Sequence, residues 1–306
     1  MPEWPLPGGG VADFRVDQAA GLRRLFGASQ LQVVAFAAGS EGVGRSVAVA
    51  NTAAALARLG KEVLVLDENP AGGDVAACFG LTGRFDLLHL LNGERKPEEV
   101  LIAAMPGVSI LPAAQAVNKL GRLNTRQQQS FIAAMQRLAG PLDVVLVDAG
   151  THHPAGFSPL GLAAHETVMA LSASGSSITE AYALIKKVSQ SFARRHFRIL
   201  VSKVRCASDA RAIFENIAEV TRQRKLAQLE FAGAIPLDDA LRQASQMCRP
   251  VVNLLPDSAS ATAFRDLAND LLHWRQGQAE TGGAQHFFQQ LLHLSQRITP
   301  AAVRTY

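Results

Sequence analysis

Residues 38–46 read Ala-Gly-Ser-Glu-Gly-Val-Gly-Arg-Ser and separate an apolar run at 31–37 from a helix-forming run at 47–59. A glycine-rich turn between a strand and a helix lets backbone N–H groups converge on an anion, and the helix that follows adds its positive end. Gly39, Gly42, Gly44 and Ser46 fit the phosphate-loop pattern G-x-x-x-x-G-K-[ST], with Arg45 in place of the lysine. The pattern predicts a nucleotide site lined by residues 39–46, including Ser40, Glu41 and Val43. Arginine keeps the charge but is a wider, planar fork, so the exchange preserves binding better than it preserves catalysis.

Around the loop, apolar runs at 62–66, 108–111, 143–147, 167–171, 197–201 and 229–234 alternate with helical stretches at 46–59, 74–79, 85–92, 125–139, 178–192, 208–223, 237–247 and 260–273. That alternation predicts an α/β fold, a doubly wound and mostly parallel sheet flanked by helices. Runs such as Val63-Leu64-Val65-Leu66 and Val144-Val145-Leu146-Val147 mark strands buried on both faces. Each ends in an aspartate, Asp67 and Asp148. Ligands of open parallel sheets bind beyond the carboxyl ends of the strands, so both carboxylates are expected beside the loop, where with Ser46 they would hold Mg2+.

With 306 residues, 48% hydrophobic and 18% charged, the chain has enough apolar content for one large domain with appendages. A formal charge of +4 is too small to imply a nucleic-acid partner, and none is expected. The three cysteines lie far apart with no C-x-x-C, which fits a reducing cytoplasm rather than a disulfide framework. No apolar run approaches the roughly 18–20 residues that span a bilayer, and the first residues lack the charged and apolar regions of an export signal. Three prolines and three glycines in the first ten residues predict disorder there. The expected organisation is a flexible 1–29 carrying a short helix at 17–26, a nucleotide-binding domain at 30–274, and a linker with an amphipathic helix at 275–306. On that last helix Phe287, Phe288, Leu291 and Leu292 share one face, open to a membrane, a partner or the chain's own domain. The pair His152-His153 reads as loop, because adjacent residues converge poorly on a metal. The run 194–198, Arg-Arg-His-Phe-Arg, reads as a solvated helix end.

Loop, Val63–Pro70 and Asp143–Gly150 together resemble the MinD/ParA branch of P-loop ATPases. Within that branch the chain is most similar to the flagellar-number regulators FlhG/FleN. Asp17, Gln18, Gly21, Leu22 and Arg23 match that family's D-Q-A-x-x-L-R segment; Thr179–Lys186 and Arg249–Ser258 carry further likeness. The resemblance implies ATP/ADP and Mg2+ as ligands and an FlhF-type signal-recognition GTPase engaged through 17–23. It also implies a flagellar transcription activator and switch-complex proteins as further partners, an ATP-dependent homodimer, and peripheral contact with the inner face of the plasma membrane. It places Asp67 and Asn69 at the catalytic positions, and Ser202 and Pro236 with the loop in the nucleotide set. Four positions depart from the family pattern. Ser40 stands for the lysine that crosses the dimer interface, Glu41 for glycine, Arg45 for the loop lysine, and Asn69 for the aspartate that orients the attacking water. Ser202 stands for an adenine-contacting asparagine. The expectation is a regulator that binds nucleotide with slow or absent hydrolysis. An active membrane-cycling ATPase and a partition or cellulose-synthesis regulator of the same fold are the alternatives.

Overall fold

A computed structural model describes residues 31–69, 74–117, 119–138, 142–150, 157–274 and 283–298. The helix expected at 17–26, the disorder expected in the first ten residues, the loop expected at His152-His153 and residues 275–282 of the expected linker lie outside the described residues. Eight strands form one sheet: β1 (Gln32–Ala38), β2 (Val63–Asp67), β3 (Ile102–Met105), β4 (Val108–Pro112), β5 (Val144–Asp148), β6 (Glu166–Ser172), β7 (His196–Val204) and β8 (Gln228–Pro236). Their order is β3-β4-β2-β5-β1-β6-β7-β8. All neighbours run parallel except β3, which pairs antiparallel with β4 at the edge. The sequence pattern accounts for seven of these strands and passes over β3, four residues of Ile-Ala-Ala-Met whose alanines favour helix over strand.

The twelve described α-helices, in chain order, are α1 (Arg45–Arg58), α2 (Asp74–Ala77), α3 (Leu87–Leu91), α4 (Pro97–Val100), α5 (Thr125–Leu138), α6 (Pro159–Ala163), α7 (Gly175–Phe192), α8 (Ala207–Gln223), α9 (Asp239–Gln246), α10 (Val251–Leu254), α11 (Ala259–His273) and α12 (Gly283–Ile298). Alternate residues of a strand face opposite sides of a sheet. On β1, Val34 and Phe36 join a core formed with α1, α10 and α11, while Val33, Ala35 and Ala37 join one formed with α5, α7 and α12. Buried alanines 48, 50, 53, 54 and 55 let α1 lie close against the sheet, which fixes the phosphate loop at its N-terminus.

The apolar face of α12 is buried in this domain. Phe287, Phe288, Leu291 and Leu292 are at most 5% exposed, and Phe288 meets Phe131 of α5 edge to face at 5.8 Å between ring centres. Of the three covers expected for this face, membrane, partner or own domain, the structure shows the last: it packs on α5, α6 and the 3-10 turn Leu120–Arg122. Burying two phenylalanines and two leucines removes a large apolar area from water, and a lipid surface would have to compete with that packing. Among the described residues no helix is long and apolar enough to cross a membrane.

Candidate nucleotide site

The site forms where β1, β2 and β5 end. Gly42 and Gly44 adopt left-handed backbone, φ 71° and 89°, conformations that glycine takes without steric cost. Gly44 caps α1 and, being glycine, offers no side chain to the helix's first N–H groups, which suits them to phosphate oxygens. Gly39 has a different reason to be glycine. A Cβ there would lie 2.3 Å from the backbone carbon of Glu180, so the loop rests directly on α7. Ser40 Oγ reaches Ser177 Oγ at 3.5 Å, and Lys203, itself at φ 58°, donates from Nζ to the Gly42 carbonyl at 2.6 Å. Glu41 is exposed at the loop's rim, and Ser46 lies in the first turn of α1, half-buried.

Strand register produces the carboxylate pair. Asp67 and Asp148 are the last residues of neighbouring parallel strands and sit directly opposite one another. Both are buried, 1% and 0% exposed. Asn69 joins them: its Nδ2 donates to Asp67 Oδ1 at 2.7 Å and to Asp148 Oδ2 at 2.6 Å. Arg45 closes the network, donating from Nε to Asp148 Oδ1 and from Nη2 to Asn69 Oδ1, the latter at 2.5 Å. The remaining oxygen, Asp67 Oδ2, accepts the Val75 N–H at 3.2 Å. Burial and the neighbouring Asp148 charge raise the Asp67 carboxyl to about 6.

Sequence reasoning missed Glu68, which follows Asp67 and turns the other way. Ser158 Oγ donates to its Oε1 at 2.6 Å and the Gly150 N–H to its Oε2 at 2.8 Å. Burial pushes Glu68 up to about 7 against those two hydrogen bonds and the Arg45 charge. Its one signal in the sequence is its place beside the strand-end aspartate.

A cavity of about 520 Å³ opens beside the loop, lined by Val43, Val47, Pro236, Leu237 and Leu241 among others. Its shape and apolar walls suit a nucleobase. Ser202 lines it too, but its hydroxyl donates to the carbonyls of Val43 at 2.5 Å and Leu171 at 3.2 Å, so its proton is turned into the protein. The structure thus brings Gly39–Ser46, Asp67, Asn69, Asp148, Ser202 and Pro236 to one end of the sheet. The 17–23 segment lies outside the described residues.

The oxygen donors Ser46, Asp67 and Asp148 suit Mg2+ in kind. Their arrangement does not fit it: all four carboxylate oxygens accept hydrogen bonds from this chain, and the Arg45 guanidinium lies on Asp148.

A family model described as ParA, NUBPL iron-transfer P-loop NTPase, matches residues 30–272. The chain belongs to the ParA family of P-loop NTPases. It is 30% identical to the antiactivator FleN of Pseudomonas aeruginosa over 86% of this chain and 94% of that one. It is 24% identical to the flagellum site-determining protein YlxH of Helicobacter pylori over 85% and 89% of the two chains. Among solved structures, the septum site-determining protein MinD of Pyrococcus horikoshii, complexed with Mg-ADP, superposes with a TM-score of 0.58 at 18% identity, covering 81% of this chain and 100% of that one. None of the three cysteines is in a disulfide, and no cluster of three or more His, Cys, Asp or Glu side chains that could hold a metal ion occurs among the described residues.

The basic run at 194–198 is only in part solvated: Arg195 is exposed, while Arg198 is buried. Arg194 donates to the carbonyls of Leu162, Ala164 and His165, and Arg195 to those of Lys225 and Leu226. Arg198 pairs with Glu166 and Glu230 and stacks on Trp274.

Proposed function

We propose that this ParA-family protein regulates flagellar number or placement in the manner of FleN and FlhG, binding an adenine nucleotide and turning it over slowly or not at all. The observation that carries the impaired turnover is Asn69. It occupies the position expected to orient the attacking water, and its amide is held between Asp67 and Asp148. An amide cannot accept a proton from water near neutral pH. The flagellar assignment draws on the likeness to FleN and YlxH and on the Asp17–Arg23 segment, through which the protein contacts and stimulates an FlhF-type GTPase. A transcription activator is a second partner, in keeping with the word antiactivator in the name of its relative. The protein works at the cytoplasmic side of the membrane, with peripheral contact and homodimerisation following nucleotide occupancy. One observation favours the active ATP-driven switch instead: Asp67 and Asp148 are both retained in matched register.

Calorimetric titration with ATP and Mg2+, with hydrolysis measured in the same preparation, separates the two. Binding without measurable turnover supports the regulator; turnover equal to that of the variant Ser40→Lys/Glu41→Gly/Arg45→Lys/Asn69→Asp supports the switch. The partner assignment fails if Gln18→Ala leaves stimulation of a cognate FlhF-type GTPase intact.

A further inference from the structure

Arg45 and Asn69 both depart from the expected site pattern, and they bond each other. Asn69 needs both halves of its amide: the nitrogen donates to Asp67 and Asp148, while the oxygen accepts from Arg45. An aspartate at 69 would set a third acceptor against two others and call for a cation between them. A lysine at 45 would offer one point charge, whereas the guanidinium fork reaches Asp148 through Nε and Asn69 through Nη2 at once. The result is a closed chain of Arg45, Asp148, Asn69 and Asp67. Each carboxylate oxygen has a donor from the protein, and neither carboxylate exposes more than 1% of its surface.

We infer that Arg45 takes the place of the divalent cation in this site, so that nucleotide binding does not depend on Mg2+. The inference rests on the nucleotide reading above and deepens it. Phosphate recognition is left to elements that need no metal: the loop's backbone N–H groups and the glycine-capped N-terminus of α1. A metal ion entering the site would have to expel the Arg45 guanidinium, whose side chain is 10% exposed, and break its two charge-assisted contacts.

The test titrates ADP into the full-length protein in excess EDTA and again in millimolar Mg2+. The dissociation constants should agree within about twofold. Manganese alone, followed by the paramagnetic resonance of the free ion, should show no binding to the wild type. In Arg45→Lys/Asn69→Asp, Mg2+ should tighten ADP binding by about tenfold or more, and Mn2+ should bind. Wild-type affinity that rises about tenfold with Mg2+ overturns the inference and leaves the nucleotide reading standing. A double variant that gains neither Mg2+ dependence nor Mn2+ binding also overturns it, since Arg45 would not be the reason. Absence of ADP binding in both buffers removes the nucleotide reading, and the inference with it.

Discussion

Arg45 Nη2 donates to Asn69 Oδ1 at 2.5 Å, joining the phosphate loop to the end of β2 across the mouth of the site. The contact couples two positions 24 residues apart, and through Asn69 it reaches both strand-end carboxylates. Removing the guanidinium strands Asp148, which has no exposed surface. Arg45→Ala is therefore expected to lower stability by about 3 kcal/mol or more. Asn69→Ala, which removes hydrogen bonds to two carboxylates and a guanidinium, should cost about 1.5–3 kcal/mol. Because both belong to one network, the double variant should lose less than the two single losses together, by roughly 0.5–3 kcal/mol. Denaturant unfolding of the four proteins measures the coupling, and additive losses would show that the two residues act separately.

Glu68 predicts an acid-side stability gain. Its folded carboxyl is raised from 4.5 to about 7, chiefly by burial. Between those values the native state holds a proton that the unfolded chain has released. The contribution is complete below about pH 4.5 and is lost as pH rises through about 7, an effect of about 3 kcal/mol at most. Glu68→Gln, which cannot ionise, should flatten the pH profile across that window. Unfolding midpoints measured from pH 4.5 to 8 compare the two proteins, and parallel profiles would refute the assignment to Glu68.

The loop glycines should not respond alike. Gly39→Ala drives a methyl into the backbone of α7, with Glu180 and Ala181 atoms 2.3–2.6 Å away, and none of those atoms can swing aside. Loss of nucleotide binding and about 3 kcal/mol or more of stability is expected. At Gly42 nothing lies within 4 Å of an added Cβ, so Gly42→Ala carries only the left-handed backbone penalty of about 1–2 kcal/mol. Equal losses in thermal unfolding would mean that the loop does not bear on α7 as described.

The sheet was legible because its central strands announce themselves. Val63–Leu66 and Val144–Val147 are unbroken apolar runs of strand length and rich in β-branched valine, the pattern of a strand covered on both faces. The carboxylate pair was legible for the same reason, since each run ends in its aspartate. What the sequence did not disclose depends on distance in space. Nothing in the local pattern says that Arg45 turns toward Asp148, that Ser202 directs its proton to the carbonyls of Val43 and Leu171, or that Lys203 grips the loop at Gly42. β3 escaped because four residues are too few to show a period, and α6 because its run of Pro-Leu-Gly-Leu-Ala carries only a serine cap and a proline as signals. The amphipathic face of α12 was plain, but amphipathicity says only that a face must be covered, not by what.

That last ambiguity can be settled by disturbing the cover rather than the helix. Phe131 of α5 meets Phe288 edge to face, and both are 1% exposed. Phe131→Ala should cost about 3–5 kcal/mol, as should Phe288→Ala, because each leaves a ring-sized gap in the same core. The two differ in what they do to the face of α12. Phe288→Ala removes part of it, whereas Phe131→Ala leaves it whole and loosens its seat. If the helix serves a membrane when released, Phe131→Ala should increase co-sedimentation with anionic vesicles and Phe288→Ala should not. Equal stability losses with no added vesicle binding by Phe131→Ala would make α12 a packing element, its phenylalanines explained by the core they complete.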